Sequence, residues 1–464
     1  MTADRSMERY FWDRLGEFGD ALALIDEQQR EEWSYRRLAE TVAAGAEQLR
    51  GARKKLVFLF ANNDAGAILC YLSALAAGHL IYLGRGSVDW TDTADLLEKY
   101  RPDIILWKGT DGEFPSPYRH DDDFFGYRRV ERHDNQLAPG SDLALLLSTS
   151  GSLGSPKLVR LSRRNIAVAA SQVANALGLE RSHRAITSLP LNFVYGLSVV
   201  HGHLQVGASL VLTKRSVQDR AFWQLLDETK VTSFAGVPWT LGALQSISFD
   251  PARHPSLRSI SLSGGALEPQ LLTWLKKLAG QGLRIFSMYG QTEASGRMCV
   301  LPCEELAAKA GSVGLPVEGS SIRCEAEGNI VFLGPNVMLG YARRRDDLTD
   351  TDDLGGVLAT GDRGYVDDEG YLYITGRTSR IAKLFGLRVN LDEIEAALGP
   401  VVVACDDGHL TVFVEKHTPD GLDGKLHALL QRLRVPAHCA RIEVLAEFPR
   451  NEAGKIRYAE LQTP

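Results

Sequence analysis

Cysteine is scarce and scattered in this chain. The six residues (Cys70, Cys299, Cys303, Cys324, Cys405, Cys439) are spread over 464 positions with no CxxC pair, so neither a zinc ribbon nor a disulfide framework is indicated. Reduced thiols, as in a cytoplasmic protein, are the expectation. A basic excess is missing too: 52 Lys plus Arg stand against 58 Asp plus Glu, for a formal charge of −6. That balance argues against a nucleic-acid-binding surface, which needs clustered cations. The opening residues MTADRSMERYFWDRLGE alternate in charge, where a secretory leader would run from basic to apolar. This again points to the cytoplasm. No apolar stretch reaches the roughly 20 residues of a membrane span; residues 65–83 come nearest and are interrupted by Ser73, Gly78 and His79. Nor does a Ser-His-Asp or Cys-His set stand out, so chemistry through a covalent enzyme nucleophile is not expected.

What is present is a long chain with 44% apolar residues, enough for two or three structural units. Strand-like runs alternate with helix-length periodic segments through the first three-quarters, which predicts an α/β architecture of helix-covered β-sheets. KKLVFLF, PDIILW and SLVLT read as strands, residues 65–77 and 166–177 as helices. From about Gly376 the texture changes to short elements, NLDEIEAAL as helix, LTVFVEK as strand and LDGKLHALLQRL as helix. The expected division is a large N-terminal domain over 1–376 and a small, mobile α+β C-terminal domain over 377–464. The acidic run DDLTDTDD at 346–353 reads as a solvated loop.

Four segments carry chemistry. In LLLSTSGSLGSPKLVRLS at 145–162 an apolar strand enters a Ser/Thr/Gly loop that ends in Pro156-Lys157. Glycines there let backbone amides approach phosphate oxygens, hydroxyls add donors and Lys157 adds charge. It is not a Walker loop, since Pro156 precedes the lysine and Leu158 follows it; on its own it could be an ordinary surface turn. SMYGQTEASG at 287–296 offers the flat face of Tyr289 to a nucleobase, the Thr292 hydroxyl to a phosphate and Glu293 as a hard oxygen ligand for Mg²⁺. TGDRGYVDDEGYLYITGR at 360–377 offers Asp362 to ribose hydroxyls and Arg377 as a donor. PRNEAGKIR at 449–457 places Lys455 beside Gly454 on an extended segment.

In this order and spacing the segments resemble the signature motifs of the adenylate-forming superfamily: acyl- and aryl-CoA synthetases, peptide-synthetase adenylation domains and luciferases. The likeness runs over nearly the whole chain, with LRSISLSGGALEP (257–269), GSVGLPVEG (311–319) and GPNVMLGYA (334–342) in support. It implies an ATP- and Mg²⁺-dependent ligase that makes an acyl-AMP from a carboxylic acid and passes the acyl group to CoA or to the pantetheine of a carrier protein. By the same likeness Thr149, Ser150, Gly151, Ser152, Gly154 and Lys157 cradle pyrophosphate. Gly264, Gly265 and Ala266 line the adenine and acyl pockets with Tyr289 and its neighbour Gly290. Thr292 meets the α-phosphate, Glu293 holds Mg²⁺, Asp362 and Arg377 grip the ribose, and Lys455 is the catalytic lysine. Ser379 falls at the hinge about which the tail would rotate, bringing the loop around Gly386 to the thiol.

The sequence also departs from the pattern. Leu153 replaces a hydroxyl residue of the phosphate loop, Ser379 a charged hinge residue, and Phe193 an aromatic-gating histidine; Phe193 is expected to make the pocket floor more apolar. Residues 192–196 (NFVYG) hold no acid to clamp an α-amine, and an unpaired ammonium in an apolar site is costly. The expected substrate is therefore an aryl or fatty acid without an α-amine, against Phe193, Tyr195, Val237, Trp239, Met288 and Met298. Alternatives are an amino-acid adenylation enzyme loading a carrier protein, a non-catalytic nucleotide-binding relative, and a luciferase-like oxygenase.

Overall fold

The computed structural model describes residues 10–461 apart from 89, 110–117, 133, 135–137, 150–156, 266–268, 385–386, 407–408, 434–438 and 451–455. Two large mixed sheets form the bulk of it. In one, the strands Leu80–Arg85, Leu56–Ala61 and Ile104–Trp107 run parallel, and every residue of Leu56–Ala61 (LVFLFA) is buried. A strand buried on both faces needs such an unbroken apolar run, which is why KKLVFLF could be read without alternation. Leu143–Ser148 joins parallel to Leu80–Arg85, and the antiparallel strand Leu158–Ser162 then pairs with Leu143–Ser148.

The second large sheet carries Ser233–Gly236, Ser259–Leu262 and Arg284–Tyr289 side by side and parallel. In open α/β sheets the carboxyl ends of such strands form the ligand edge. Here those ends deliver Val237, Gly264 and Tyr289 to one rim.

The helix expected at 166–177 begins earlier, at Arg163, because the Ser162 side chain caps it: Ser162 Oγ accepts from Asn165 N at 3.1 Å and Asn165 Oδ1 accepts from Ser162 N at 2.9 Å. This reciprocal cap satisfies two of the orphan amides of a helix start. The helix expected at 65–77 runs Ala65–Ala76. A third sheet, fully antiparallel, links Ser321–Cys324, Asn329–Leu333, Val357–Val366 and Leu372–Arg377. In the last pair Asp362 stands directly opposite Arg377.

After Arg377 come a turn at Thr378–Arg380, the hairpin Ile381–Leu384 with Leu387–Asn390, the helices Leu391–Leu398 and Leu422–Leu433, and a three-stranded sheet of Val402–Asp406, His409–Glu415 and Ala440–Leu445. Their apolar side chains, among them Leu391, Ile394, Val403, Val412, Leu426 and Leu430, pack on each other as one cluster. Both expected helices and the expected strand are present in this α+β tail.

Candidate active site

The sheet edge becomes a site through loops that are bound to one another. Gly290 leaves Tyr289 in so tight a turn that a Cβ there would stand 2.1 Å from the Gly296 carbonyl oxygen; only glycine fits. Gly264, with φ +98°, adopts a backbone that other residues avoid. The turn after Gly290 is held from outside by Asn336, which is fully buried and donates through Nδ2 to the carbonyls of Ala294 (2.8 Å) and Arg297 (2.7 Å), while Ser295 Oγ donates to the Asn336 carbonyl at 2.8 Å. A buried amide with its donors matched in this way fixes a loop at little cost.

Asp362 is the most enclosed carboxylate of the rim, 7% exposed. Tyr289 Oη donates to its Oδ2 at 2.5 Å and Arg377 Nε lies 3.2 Å from its Oδ1. Burial holds the Asp362 pKa above its ordinary value, with the Arg377 charge and the Tyr289 hydrogen bond opposing that rise. Burial likewise pushes the Tyr289 hydroxyl well up, the Asp362 charge adding to it. Thr360 completes the group: its Oγ1 accepts from Asp362 N at 3.0 Å and its carbonyl accepts from Gln291 Nε2 at 3.3 Å. Such a carboxylate, with two oxygens turned to donors, is suited to paired hydroxyls.

A second carboxylate lies on the same loop. Glu293 Oε1 accepts from Tyr341 Oη at 2.7 Å, its backbone carbonyl accepts from Met338 N at 2.8 Å, and the Lys157 ammonium sits 4.0 Å from the centre of the Tyr341 ring. The structure thus brings Lys157, from the end of the phosphate segment, next to Glu293 through Tyr341. Glu293 forms no ion pair with a described residue and its Oε2 takes no hydrogen bond there, which fits a hard-oxygen donor for a divalent cation. Among the described residues no group of three or more His, Cys, Asp or Glu converges to hold a metal. A cation at Glu293 would complete its shell with phosphate oxygens and water.

The residues expected in the motifs are therefore found together in part. Tyr289, Gly290, Thr292, Glu293, Asp362, Arg377, Gly264, Gly265 and Lys157 lie on this rim or its loops, and Thr149 follows the strand Leu143–Ser148 at its entrance. Ser150, Gly151, Ser152, Gly154, Ala266, Gly386 and Lys455 lie outside the described residues, and of Ser379 the structure shows only a place in the turn Thr378–Arg380.

Of the expected acyl-pocket liners, Tyr195, Val237 and Met288 are buried in one cluster with Tyr289 and Met298, and Phe193 packs against it. Trp239 is apart from them, 42% exposed on the helix Pro238–Ser246. Beside this apolar cluster stands one cation: the side chain over the Tyr195 ring is the guanidinium of Arg297, 4.0 Å from the ring centre. Asn336, Tyr341 and Arg297 were not singled out by sequence. The available signal for Arg297 was its place between Gly296 and the apolar run MCVL at 298–301.

Known proteins share both sequence and fold with this chain. A family model described as AMP-binding enzyme matches residues 11–342. The 2-succinylbenzoate–CoA ligase of Bacillus cytotoxicus is 30% identical over 337 residues, 68% of this chain and 69% of the relative. The enzyme of the same description from Bacillus pumilus is 28% identical over 388 residues, 80% and 78% of the two chains. In solved structures, the o-succinylbenzoate CoA synthetase of Bacillus subtilis with its acyl-adenylate intermediate matches at TM-score 0.77 and 24% identity, over 98% of both chains. A fatty acyl CoA synthetase of Mycobacterium tuberculosis matches at TM-score 0.71 and 18% identity, over 97% of both. At these identities the structures speak for the shared fold. Among the described residues no helix is long and apolar enough to cross a membrane.

Proposed function

The chain belongs to the family of AMP-binding enzymes, and on that footing we propose that it is an AMP-forming ligase joining an aromatic carboxylic acid to coenzyme A. In the first half-reaction a carboxylate oxygen of the acid forms a bond to the α-phosphorus of ATP, and the bond from that phosphorus to the β-phosphate bridging oxygen breaks, releasing pyrophosphate. In the second, the CoA sulfur bonds to the acyl carbon, the acyl–oxygen bond breaks with its electron pair leaving on AMP, and the thiol proton goes to solvent. The observation that carries the reading is Asp362, buried between Tyr289 and Arg377 on the rim where Glu293, Tyr341 and Lys157 also meet.

Several negative groups must be brought together here, so the work of the site is neutralisation and alignment. Asp362 accepts from the ribose hydroxyls and Arg377 supports it; Tyr289 and the glycines after Ser259–Leu262 flank the base. Thr292 donates to the α-phosphate, and Lys157 with Thr149 serves the leaving pyrophosphate. A bound Mg²⁺ would add charge at Glu293. Lys455 brings its ammonium to the acyl carboxylate and the nucleotide. The relatives' acid, 2-succinylbenzoate, supports an aromatic substrate, and the missing acid over 192–196 disfavours an α-amino one. We divide the chain near residue 377 into a core and a tail that turns about Ser379, and place the protein in the cytoplasm. A carrier-protein pantetheine is the other acceptor that mass analysis of the product would reveal.

Lys455→Ala tests the reading. Acid-dependent ATP–pyrophosphate exchange should fall by at least about a hundredfold, the scale of losing one charge-stabilising group, while calorimetry still shows nucleotide binding. Exchange at the parental rate would sink the assignment.

A further inference from the structure

Three arginines among the described residues are almost fully enclosed: Arg160 (2% exposed), Arg297 (1%) and Arg345 (6%). Two of them have acids. Arg160 pairs with Asp353 and donates to the Thr349 carbonyl at 2.7 Å; Arg345 pairs with Asp103 at 2.8 Å and donates to the Arg101 carbonyl at 2.6 Å. Arg297 has none. Its Nη1 donates to the carbonyl of the adjacent Gly296 at 2.6 Å, its face lies on the Tyr195 ring, and its Nε finds no partner. The Nε–Nη2 edge, the side of the fork that takes a carboxylate with two parallel hydrogen bonds, meets no described acceptor.

A buried cation without a counter-charge is strongly unfavourable unless something else supplies the charge. Burial pulls the Arg297 pKa down to about 10, with Tyr195 the one opposing influence, so the side chain is still a cation at neutral pH. It lies among the side chains expected to line the acyl pocket. Tyr195 belongs to the cluster of Val237 and Met288, its hydroxyl lies 2.9 Å from Ser261 Oγ, and the residue after Arg297 is bound to the rim through Met298 N to the Tyr289 carbonyl at 2.8 Å.

We propose that Arg297 is the specificity residue for a second carboxylate on the acid, making the substrate a dicarboxylic aryl acid that is activated at one carboxyl and anchored by the other. The proposal rests on the ligase reading above and narrows its substrate class. Tyr195 supports the guanidinium plane from one face, and its hydroxyl with Ser261 offers neutral donors nearby. The incoming anion is then the missing counter-charge. An acid with one carboxyl leaves the Arg297 charge unpaired in a desolvated site, a form of discrimination stronger than apolar fit gives.

The experiment compares 2-succinylbenzoate with benzoylpropanoate and butanoylbenzoate, each of which lacks one of its two carboxyls, in ATP-dependent pyrophosphate release by the full chain. Arg297→Met should lower the kcat/KM preference for the diacid about a hundredfold, mainly through KM, as expected for loss of a buried charge pair. Arg297→Lys, which keeps charge without the fork, should restore part of it. A second readout separates a binding role from a scaffolding one. Without ligand, Arg297→Met should unfold no earlier than the parent, whereas Arg345→Met, which takes one of two arginines from the buried Asp103, should unfold earlier. Equal losses on diacid and monoacids, or early unfolding of Arg297→Met, would overturn the proposal while leaving the ligase reading intact. A parent enzyme that releases pyrophosphate with none of these acids, nor with any other aryl acid, would overturn both.

Discussion

Two arginines of this protein lie over tyrosine rings at nearly the same distance, yet their surroundings are opposite. Arg380, at the start of the tail, stands 3.9 Å over Tyr458, pairs with Asp392 at 2.6 Å and with Glu395, and donates to the Val403 carbonyl at 3.0 Å. Burial lowers its pKa, but Glu395, Tyr458 and Asp392 outweigh burial and the net direction is up. Arg297, 4.0 Å from the Tyr195 ring centre, has the ring and one carbonyl and no acid, and its pKa goes down. The ring contact is common to both, so it is the acids that distinguish them. Of these two buried cations, the one neutralised by acids of its own chain fits the scaffold, and the one without an acid fits a place reserved for an anionic ligand.

The comparison can be broken first at the tail. Arg380→Met takes the cation from between Asp392 and Glu395, and should cost the tail about 3–5 kcal/mol, the usual penalty for removing one member of a buried pair. Limited proteolysis should then cut within residues 377–464 far faster than in the parent; parental resistance would show that pairing does not make Arg380 structural. The next largest effect concerns Asp362, a carboxylate satisfied by two donors of its own chain. Asp362→Ala should weaken AMP binding by about 2–3 kcal/mol, the loss of hydrogen bonds to a charged acceptor, and unchanged calorimetric affinity would remove it from the ribose site.

A pH series sharpens the same point. Because burial raises the Asp362 pKa, the carboxyl protonates at a higher pH than an exposed aspartate and, once protonated, no longer accepts from two hydroxyls. AMP affinity should therefore be full above the raised pKa and fall by about tenfold per pH unit below it. Asp362→Asn should lack that acidic limb, and a limb that persists in the variant belongs to another group. The smallest change is Tyr341→Phe, which removes the hydrogen bond to Glu293 and leaves the ring under Lys157. The Mg²⁺ concentration for half-maximal exchange should rise about fivefold, equivalent to about 1 kcal/mol; an unmoved titration would separate Tyr341 from the cation.

Much of the fold was legible because its signals are local. The unbroken apolar run of Leu56–Ala61 announces a strand buried on both faces, and the tail helices Leu391–Leu398 and Leu422–Leu433 stand where their periodicity put them. Tyr289, Glu293, Asp362 and Arg377 were legible through ordered motifs, and their convergence is a matter of topology: a parallel strand end meets an antiparallel hairpin. Arg297 was illegible because burial of a charged residue is decided by what packs over it, and Tyr195 is about a hundred positions away in sequence. Asn336 was hidden for a related reason, its side chain serving carbonyls of a loop some forty residues earlier. Trp239 differs from the other expected liners in being 42% exposed, and exposure of a residue at a helix start is set by packing that sequence does not display.

Arg377 is bonded on two sides: its guanidinium to Asp362 and its backbone amide to Asp392 Oδ2 at 2.8 Å. One residue is thus shared between the rim that holds Asp362 and the first helix beyond it. An occupant that claims the Asp362 oxygens must slacken the first tether while the second holds. Arrival of the nucleotide should then be felt across the junction, as faster amide exchange in the strand ending at Arg377, before any acid or thiol has bound.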